Sequence, residues 1–284
     1  MSTFDAREPS TGRQMPDHWR PYLREAALIR TCLHTGLNAL ARANHADTGL
    51  YAQAFFSVHA GLERLLKLIY VIDSALTHEG TLPTDEDLRR RFGHDLVPLF
   101  AMAADVRDRL EADGHAFRWG LVDADVAGRI IGVLAEFGKA SRYYNLDYLV
   151  GSKRTSRDPV AAWATEVGAY LIKDYPSRRA AADAGLADFA HGVLGDRSSV
   201  VRDSETGDAI ADMRSEVLHG RRGEWVQEAA TFHAATIVRY LAEVLRALNT
   251  RCLRGDVLEL PFLWEFFGQY NNDDRDLRGR RTFL

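Results

Sequence analysis

The sequence has few of the residues that form covalent cross-links or bind metals through sulfur. Its 284 residues include only two cysteines, Cys32 and Cys252. This number excludes a disulfide framework and a cysteine-based zinc site, and two free thiols fit a reducing compartment. The first twenty residues lack the apolar core of a secretory signal. The most apolar stretch, 65–76, falls short of the roughly 20 residues that a membrane span requires. We therefore expect a cytoplasmic protein that makes no contact with a membrane.

Several motifs of enzymes and metal proteins are also missing. The chain has no glycine-rich phosphate loop, no HExxH and no GxSxG. One ExxH match, Glu216 with His219, is half of a di-iron motif, and the second half that such bundles need does not occur. His59 and Glu63 stand one helical turn apart, a spacing that suits a shared metal but more often reflects a helix surface or a buried hydrogen bond. We expect no cofactor and no metal site.

Basic charge comes almost entirely from arginine. Only four of the 36 basic residues are lysines, while the net charge is −4. A GC-rich genome explains such a bias, but the arginine guanidinium also binds phosphate through two parallel hydrogen bonds. The arginines form short clusters that could hold nucleic acid locally, although the protein as a whole is not basic.

Hydrophobic periodicity predicts helices throughout. Apolar residues recur at steps of three and four, and no segment alternates as a strand would. Asp123 is predicted to cap a helix that runs to about Leu149, and Asp158 followed by Pro159 predicts another helix start. The fold class predicted is all-α, a bundle of about nine or ten helices.

Composition divides the chain into five predicted segments. The boundaries follow polar and glycine-rich stretches and the charged C-terminus, which we expect to be mobile. The segments are a polar N-terminus (1–16), an N-terminal helical half (17–150), a helical insertion (151–203), a C-terminal helical half (204–270) and a charged tail (271–284).

An Arg-x4-His pair is the strongest candidate for a chemical site. With 32 arginines and ten histidines in the sequence, about one such pair is expected by chance, and three occur. Arg214 and His219 differ from the other two pairs because they lie on one predicted helix, 208–219, which Gly220 is expected to end. A second helix is predicted from Glu224 to Leu253. On an ideal helix the two side chains point about 140° apart, so they converge on one phosphate only if the last turn distorts.

The residues around this pair resemble the R-N-x-x-x-H-G segment of HEPN domains, which are all-α and often dimeric. Three further segments are similar to segments of that family and occur in the same order. They are Phe56–Ile72 with Glu63 and Lys67, Phe92–Leu96 (FGHDL) and Ser141–Tyr144 (SRYY).

This resemblance implies a metal-independent endoribonuclease, a toxin or antiviral defence effector that acts on RNA as a homodimer under a regulatory partner. Arg214 and His219 would be catalytic, Ser215 and Glu216 auxiliary, and Arg221 and Arg222 would bind the RNA backbone. The alternative is a non-catalytic HEPN-like module for dimerisation, nucleotide binding or partner docking. Ser215 favours this alternative because the family usually has Asn, Asp or His after the arginine.

Overall fold

The computed structural model describes residues 15–152, 157–195, 202–254, 258–280 and 282–283, and these residues form a helical bundle. Most of the predicted N-terminal segment, residues 1–14, lies outside them, as do 153–156 and 196–201 of the predicted insertion. Eleven α-helices occur in the described residues: α1 Trp19–Leu40, α2 Gly49–Thr77, α3 Asp85–Arg91, α4 Leu96–Ala112, α5 Ala124–Lys139, α6 Tyr144–Leu149, α7 Pro159–Trp163, α8 Ala169–Leu171, α9 Ser177–Leu194, α10 Met213–Arg254 and α11 Asp274–Gly279. The all-α prediction is confirmed. None of the described helices is long and apolar enough to cross a bilayer.

An antiparallel pair of helices, α1 and α2, forms one side of the core. The two backbones approach so closely that a Cβ atom on Gly36 would lie 2.5 Å from Cγ2 of Val58, and one on Gly61 would lie 2.7 Å from Leu33. Glycine is therefore required at both crossing positions. The buried side chains of this pair pack against α4, α5 and α10.

Helix α10 is the central element, and it differs from the prediction. The expected stop at Gly220 is wrong, because one helix continues through Gly220 and Gly223 to Arg254. Neither glycine has a positive φ, so neither forms the left-handed turn that ends a helix. A glycine inside a helix costs about 1 kcal/mol relative to alanine. Burial of the apolar face that begins at Val226 outweighs this cost.

Other boundaries depend on local capping. Asp123 accepts a hydrogen bond from the backbone N–H of Val126, and Asp158 accepts from those of Val160 and Ala161, so both predicted helix starts are confirmed. The helix predicted from Asp123 to about Leu149 is instead two helices, α5 and α6, separated by a 3-10 turn at Ser141–Tyr143.

A short antiparallel ribbon was not predicted. Strand β1 (Arg202–Asp203) pairs with β2 (Ala209–Ile210), with Arg202 opposite Ile210. Two-residue strands are too short to show a period in the sequence. The ribbon lies just before α10 and places its turn against the first turns of that helix.

The charged tail is packed rather than mobile over its described residues. Helix α11 lies in it, Leu277 is buried, and Phe283 stacks on Tyr270 with 3 % of its surface exposed. Asn38 of α1 exchanges two 2.8 Å hydrogen bonds with the backbone of Phe283. The many charged residues of this segment led to the wrong prediction, because Leu277 and Phe283 give too weak an apolar pattern to predict packing.

Candidate functional site

The first turns of α10 carry two of the predicted site residues on one face. Asp212 caps the helix by accepting hydrogen bonds from the backbone N–H of Ser215 at 2.8 Å and from its hydroxyl at 3.0 Å. Glu216 and His219 follow at a spacing of three residues, so their side chains are neighbours on the helix surface. Ser215 therefore stabilises the start of the helix, and its hydroxyl is exposed.

The turn of the β1–β2 ribbon presents a third residue, Glu205. Ser204 closes this turn through its backbone N–H, which donates to the carbonyl of Asp208 at 2.8 Å, and Gly207 adopts φ +85°. The carboxylate of Glu205 points inward, with 9 % of its side chain exposed. Such a buried acid is unusual at a hairpin turn and needs hydrogen-bond donors around it.

A fourth residue, His45, comes from the loop between α1 and α2. The side-chain oxygen of Asn44 accepts hydrogen bonds from the backbone N–H groups of Ala46 and Asp47 at 2.9 and 3.0 Å. This turn fixes the backbone of His45, whose side chain is only 6 % exposed.

These four side chains meet in one group, which we call the histidine–carboxylate cluster (His45, Glu205, Glu216 and His219). Nε2 of His219 lies 2.6 Å from Oε2 of Glu205, and Nε2 of His45 lies 3.1 Å from Oε2 of Glu216. The two imidazole rings pack edge to face with centroids 4.8 Å apart. Each imidazole therefore has its own carboxylate, and the two pairs touch.

A buried hydrogen-bond chain orients the carboxylate of Glu205. The hydroxyl of Tyr51 donates to Oε1 of Glu205 at 3.0 Å, and the amide of Gln227 donates to the hydroxyl of Tyr51 at 2.7 Å. Tyr51 and Gln227 are 1 % and 2 % exposed. Since Tyr51 holds Oε1, Oε2 remains directed at His219.

The same contacts shift the protonation of the pair. The hydrogen bond to Glu205 raises the pKa of His219 above its ordinary value, although partial burial of the ring acts in the opposite direction. Burial by itself raises the pKa of Glu205, but the hydrogen bonds from His219 and Tyr51 outweigh it and hold that pKa below its ordinary value. The pair is therefore stabilised as imidazolium and carboxylate.

A cavity of about 210 Å³ opens beside His219. Glu205 and Arg222 line it with His219, and Tyr51, Trp163 and Gln227 are among its other lining residues. Arg222 follows His219 by three residues on α10 and is exposed. A cationic side chain and an imidazole thus face one open volume, which suits an anionic group such as a phosphate.

The other predicted site residues have partners of their own. Nε of Arg214 lies 2.6 Å from Oδ1 of Asp188 on α9, and Arg214 does not line the cavity. Arg221 forms ion pairs with Asp183 at 3.0 Å and Glu224 at 2.5 Å. The structure therefore groups His219 with Glu216 and Arg222, while Arg214, Ser215 and Arg221 make contacts elsewhere.

His45 and Glu205 were not predicted from the sequence. They lie 174 and 14 positions before His219, in loops with no periodic pattern, so no local spacing links them to α10. The Asn44 turn motif was the one readable signal, because it predicts a tight turn that displays His45.

The other segments with a HEPN resemblance converge on a separate groove of about 540 Å³. The carboxylate of Glu63 forms ion pairs with Lys67 at 2.6 Å and with His94 at 3.0 Å, and Nδ1 of His59 lies 3.7 Å from it. Arg142 lines the same groove and donates to the carbonyl of Gly138. His59 also bonds the carbonyl of His94 at 3.2 Å, so its hydrogen bond is to the backbone of His94, and its 3.7 Å contact with Glu63 is an ion-pair contact rather than a hydrogen bond.

Comparisons with protein-family models, with curated proteins and with solved structures return no match to this chain.

Proposed function

We propose that this chain is a metal-independent endoribonuclease of the HEPN type, with His219 as the residue that transfers protons. The observation that carries the proposal is the 2.6 Å pair of His219 and Glu205 at the edge of a cavity that Arg222 also lines. The resemblance of the segment around His219 to HEPN domains supports the same activity.

In this proposal the neutral form of His219 takes the proton from a ribose 2′-hydroxyl, on the ring nitrogen that does not face Glu205. The 2′-oxygen attacks the adjacent phosphorus, the bond to the 5′-oxygen breaks, and the leaving oxygen takes up a proton. The products are a 2′,3′-cyclic phosphate and a 5′-hydroxyl. Glu205 is a positioning residue here: it fixes the imidazole ring and stabilises the imidazolium that forms, as a carboxylate does beside a catalytic histidine.

Arg222 replaces Arg214 as the proposed phosphate ligand. Both arginines are exposed, but Arg214 lies 2.6 Å from Asp188, whereas Arg222 lines the cavity and stands one turn from His219. Its guanidinium would stabilise the charge that builds on the non-bridging oxygens in the transition state.

A second copy of the chain supplies the acid in this proposal. His45 is too buried to protonate a leaving group, since its side chain is 6 % exposed, and it acts instead by packing against the ring of His219. A twofold dimer would place a second His219 across the substrate. A role as a toxin or antiviral effector under a regulatory partner follows from the HEPN resemblance alone.

The test is cleavage of end-labelled RNA in EDTA with identification of the new ends. We expect 2′,3′-cyclic phosphate and 5′-hydroxyl ends, and no cleavage where the reacting ribose is replaced by 2′-deoxyribose. His219→Ala should abolish the reaction. 3′-Hydroxyl and 5′-phosphate ends, or cleavage of the deoxy-substituted site, would contradict the proposed chemistry.

The groove around Glu63 favours a second candidate function, a docking module. Glu63, Lys67 and His94 are paired with one another, Arg142 bonds a backbone carbonyl, and Phe56, with 46 % of its surface exposed, adds an apolar side chain. Such a surface suits a partner or a nucleotide rather than a reaction. No RNA cleavage by the wild type, with loss of a partner on mutation of Arg142, would favour this candidate.

A further inference from the structure

Three potential metal ligands converge in the histidine–carboxylate cluster. One donor atom from each of His45, Glu205 and His219 lies within 4.8 Å of the other two. Among the described residues, no other group of three His, Cys, Asp or Glu side chains meets this criterion. The ligands come from three separate parts of the chain: the α1–α2 loop, the ribbon turn and α10.

We propose that His45, Glu205 and His219 bind one divalent transition-metal ion of the Zn²⁺ class. Two imidazole nitrogens and one carboxylate oxygen are the donor set that such ions prefer, whereas Mg²⁺ and Ca²⁺ prefer oxygen ligands alone. These three residues share no local spacing, so the sequence alone does not predict this site.

The distances require only small side-chain movements. Ligands at about 2.0–2.1 Å from a tetrahedral ion lie about 3.3 Å from one another. The Glu205–His219 pair, at 2.6 Å, must open by less than 1 Å, and the other separations, all within 4.8 Å, must close by at most about 1.5 Å. Rotation about the side-chain bonds of His45 and His219 covers this range.

The surroundings support two of the ligands. The hydroxyl of Tyr51 bonds the oxygen of Glu205 that does not face His219, and Glu216 bonds the ring of His45. Hydrogen bonds of this kind orient metal ligands and raise their affinity. The cavity beside His219 leaves space for a water molecule as a fourth ligand.

Binding would also regulate the proposed ribonuclease. An ion on Nε2 of His219 would leave the remaining ring proton on Nδ1, so no nitrogen would be free to accept the 2′-hydroxyl proton and the metal-bound chain would be inactive. This consequence rests on the proposed function. Metal binding itself does not, since the donor atoms are present whether or not the chain cleaves RNA.

Isothermal titration of the chelator-treated full-length protein with ZnCl₂ tests the site directly. We expect one ion per chain, and a loss of affinity of at least tenfold in His45→Ala and in Glu205→Gln. His94→Ala is the matched control, because it removes an exposed histidine that also pairs with a glutamate, and its affinity should be unchanged. No binding by the wild type, or equal binding by all variants, would overturn the proposal.

A measurement on the wild type avoids dependence on how the variants fold. X-ray absorption of the zinc complex should show two imidazole ligands and oxygen donors at about 2.0 Å. A sulfur ligand, which would point to Cys32 or Cys252, or a single imidazole would contradict the site. RNA cleavage in EDTA and in ZnCl₂ then separates the two proposals. Loss of cleavage with zinc supports the regulation, zinc binding without any cleavage defeats only the nuclease, and cleavage that zinc does not inhibit defeats the regulation.

Discussion

Replacing Glu205 with glutamine removes the charge that faces His219 while keeping the shape of the side chain. The amide oxygen still accepts from Tyr51, so the main loss is the charge-assisted hydrogen bond to His219 at 2.6 Å. Such bonds contribute roughly 1.5–3 kcal/mol when buried. Because the His219 side chain is 33 % exposed, solvent screening weakens this contribution. We therefore expect the free energy of unfolding to fall by about 1 kcal/mol.

The loss should depend on pH in a defined direction. The raised pKa of His219 gives stability that is complete below the ordinary value of 6.5 and is lost as the pH rises through the folded-state pKa. The lowered pKa of Glu205 gives stability that is complete above 4.5 and is lost as the pH falls through its folded-state pKa. The free energy of unfolding of the wild type should therefore exceed that of Glu205→Gln most between pH 4.5 and 6.5, and by less at alkaline pH.

Urea unfolding of both proteins at several pH values measures this difference. In parallel, an NMR titration should give a lower pKa for His219 in the variant. A stability difference that stays constant with pH, or an unchanged pKa of His219, would refute the assignment of an ion pair.

Three further predictions follow from the packing and from the cavity. Gly36→Ala should destabilise the protein by about 1–3 kcal/mol in urea unfolding, since its new Cβ would lie 2.5 Å from Val58, and an unchanged midpoint would contradict the close crossing of α1 and α2. Phe283→Ala should cost about 3 kcal/mol and lower the melting temperature, because the ring is buried against Tyr270; a free tail would show no effect. Arg222→Ala should slow RNA cleavage about 100-fold with its fold intact by circular dichroism, whereas Arg214→Ala should retain most of the activity; the reverse order would restore Arg214 as the phosphate ligand.

The sequence predicted the helices well where periodicity and capping agree. Asp123 and Asp158 are followed by apolar residues at helical spacing, and both cap helices. The stop predicted at Gly220 is wrong because this glycine does not adopt the positive φ of a left-handed helix end, and burial from Val226 onwards keeps α10 helical through it. Packing of this kind is a long-range property that a local pattern does not contain.

The candidate site could be predicted only in part for the same reason. His219 and Glu216 lie on one predicted helix, so their shared face was readable, whereas the wrong stop at Gly220 separated Arg222 from them. Glu205 and His45 join them through tertiary contacts across 14 and 174 positions of the sequence. No single-sequence rule links a hairpin turn to a helix that follows it.

The rate of RNA cleavage by His219→Ala relative to His94→Ala tests the central claim most directly. Both variants remove a histidine from an Arg-x4-His spacing and from a pair with a glutamate, but only His219 lines the cavity with Arg222. On one labelled RNA in EDTA, His219→Ala should lose activity at least 1,000-fold, while His94→Ala should match the wild type. Equal rates for the two variants would contradict the assignment of His219 as the residue that transfers protons.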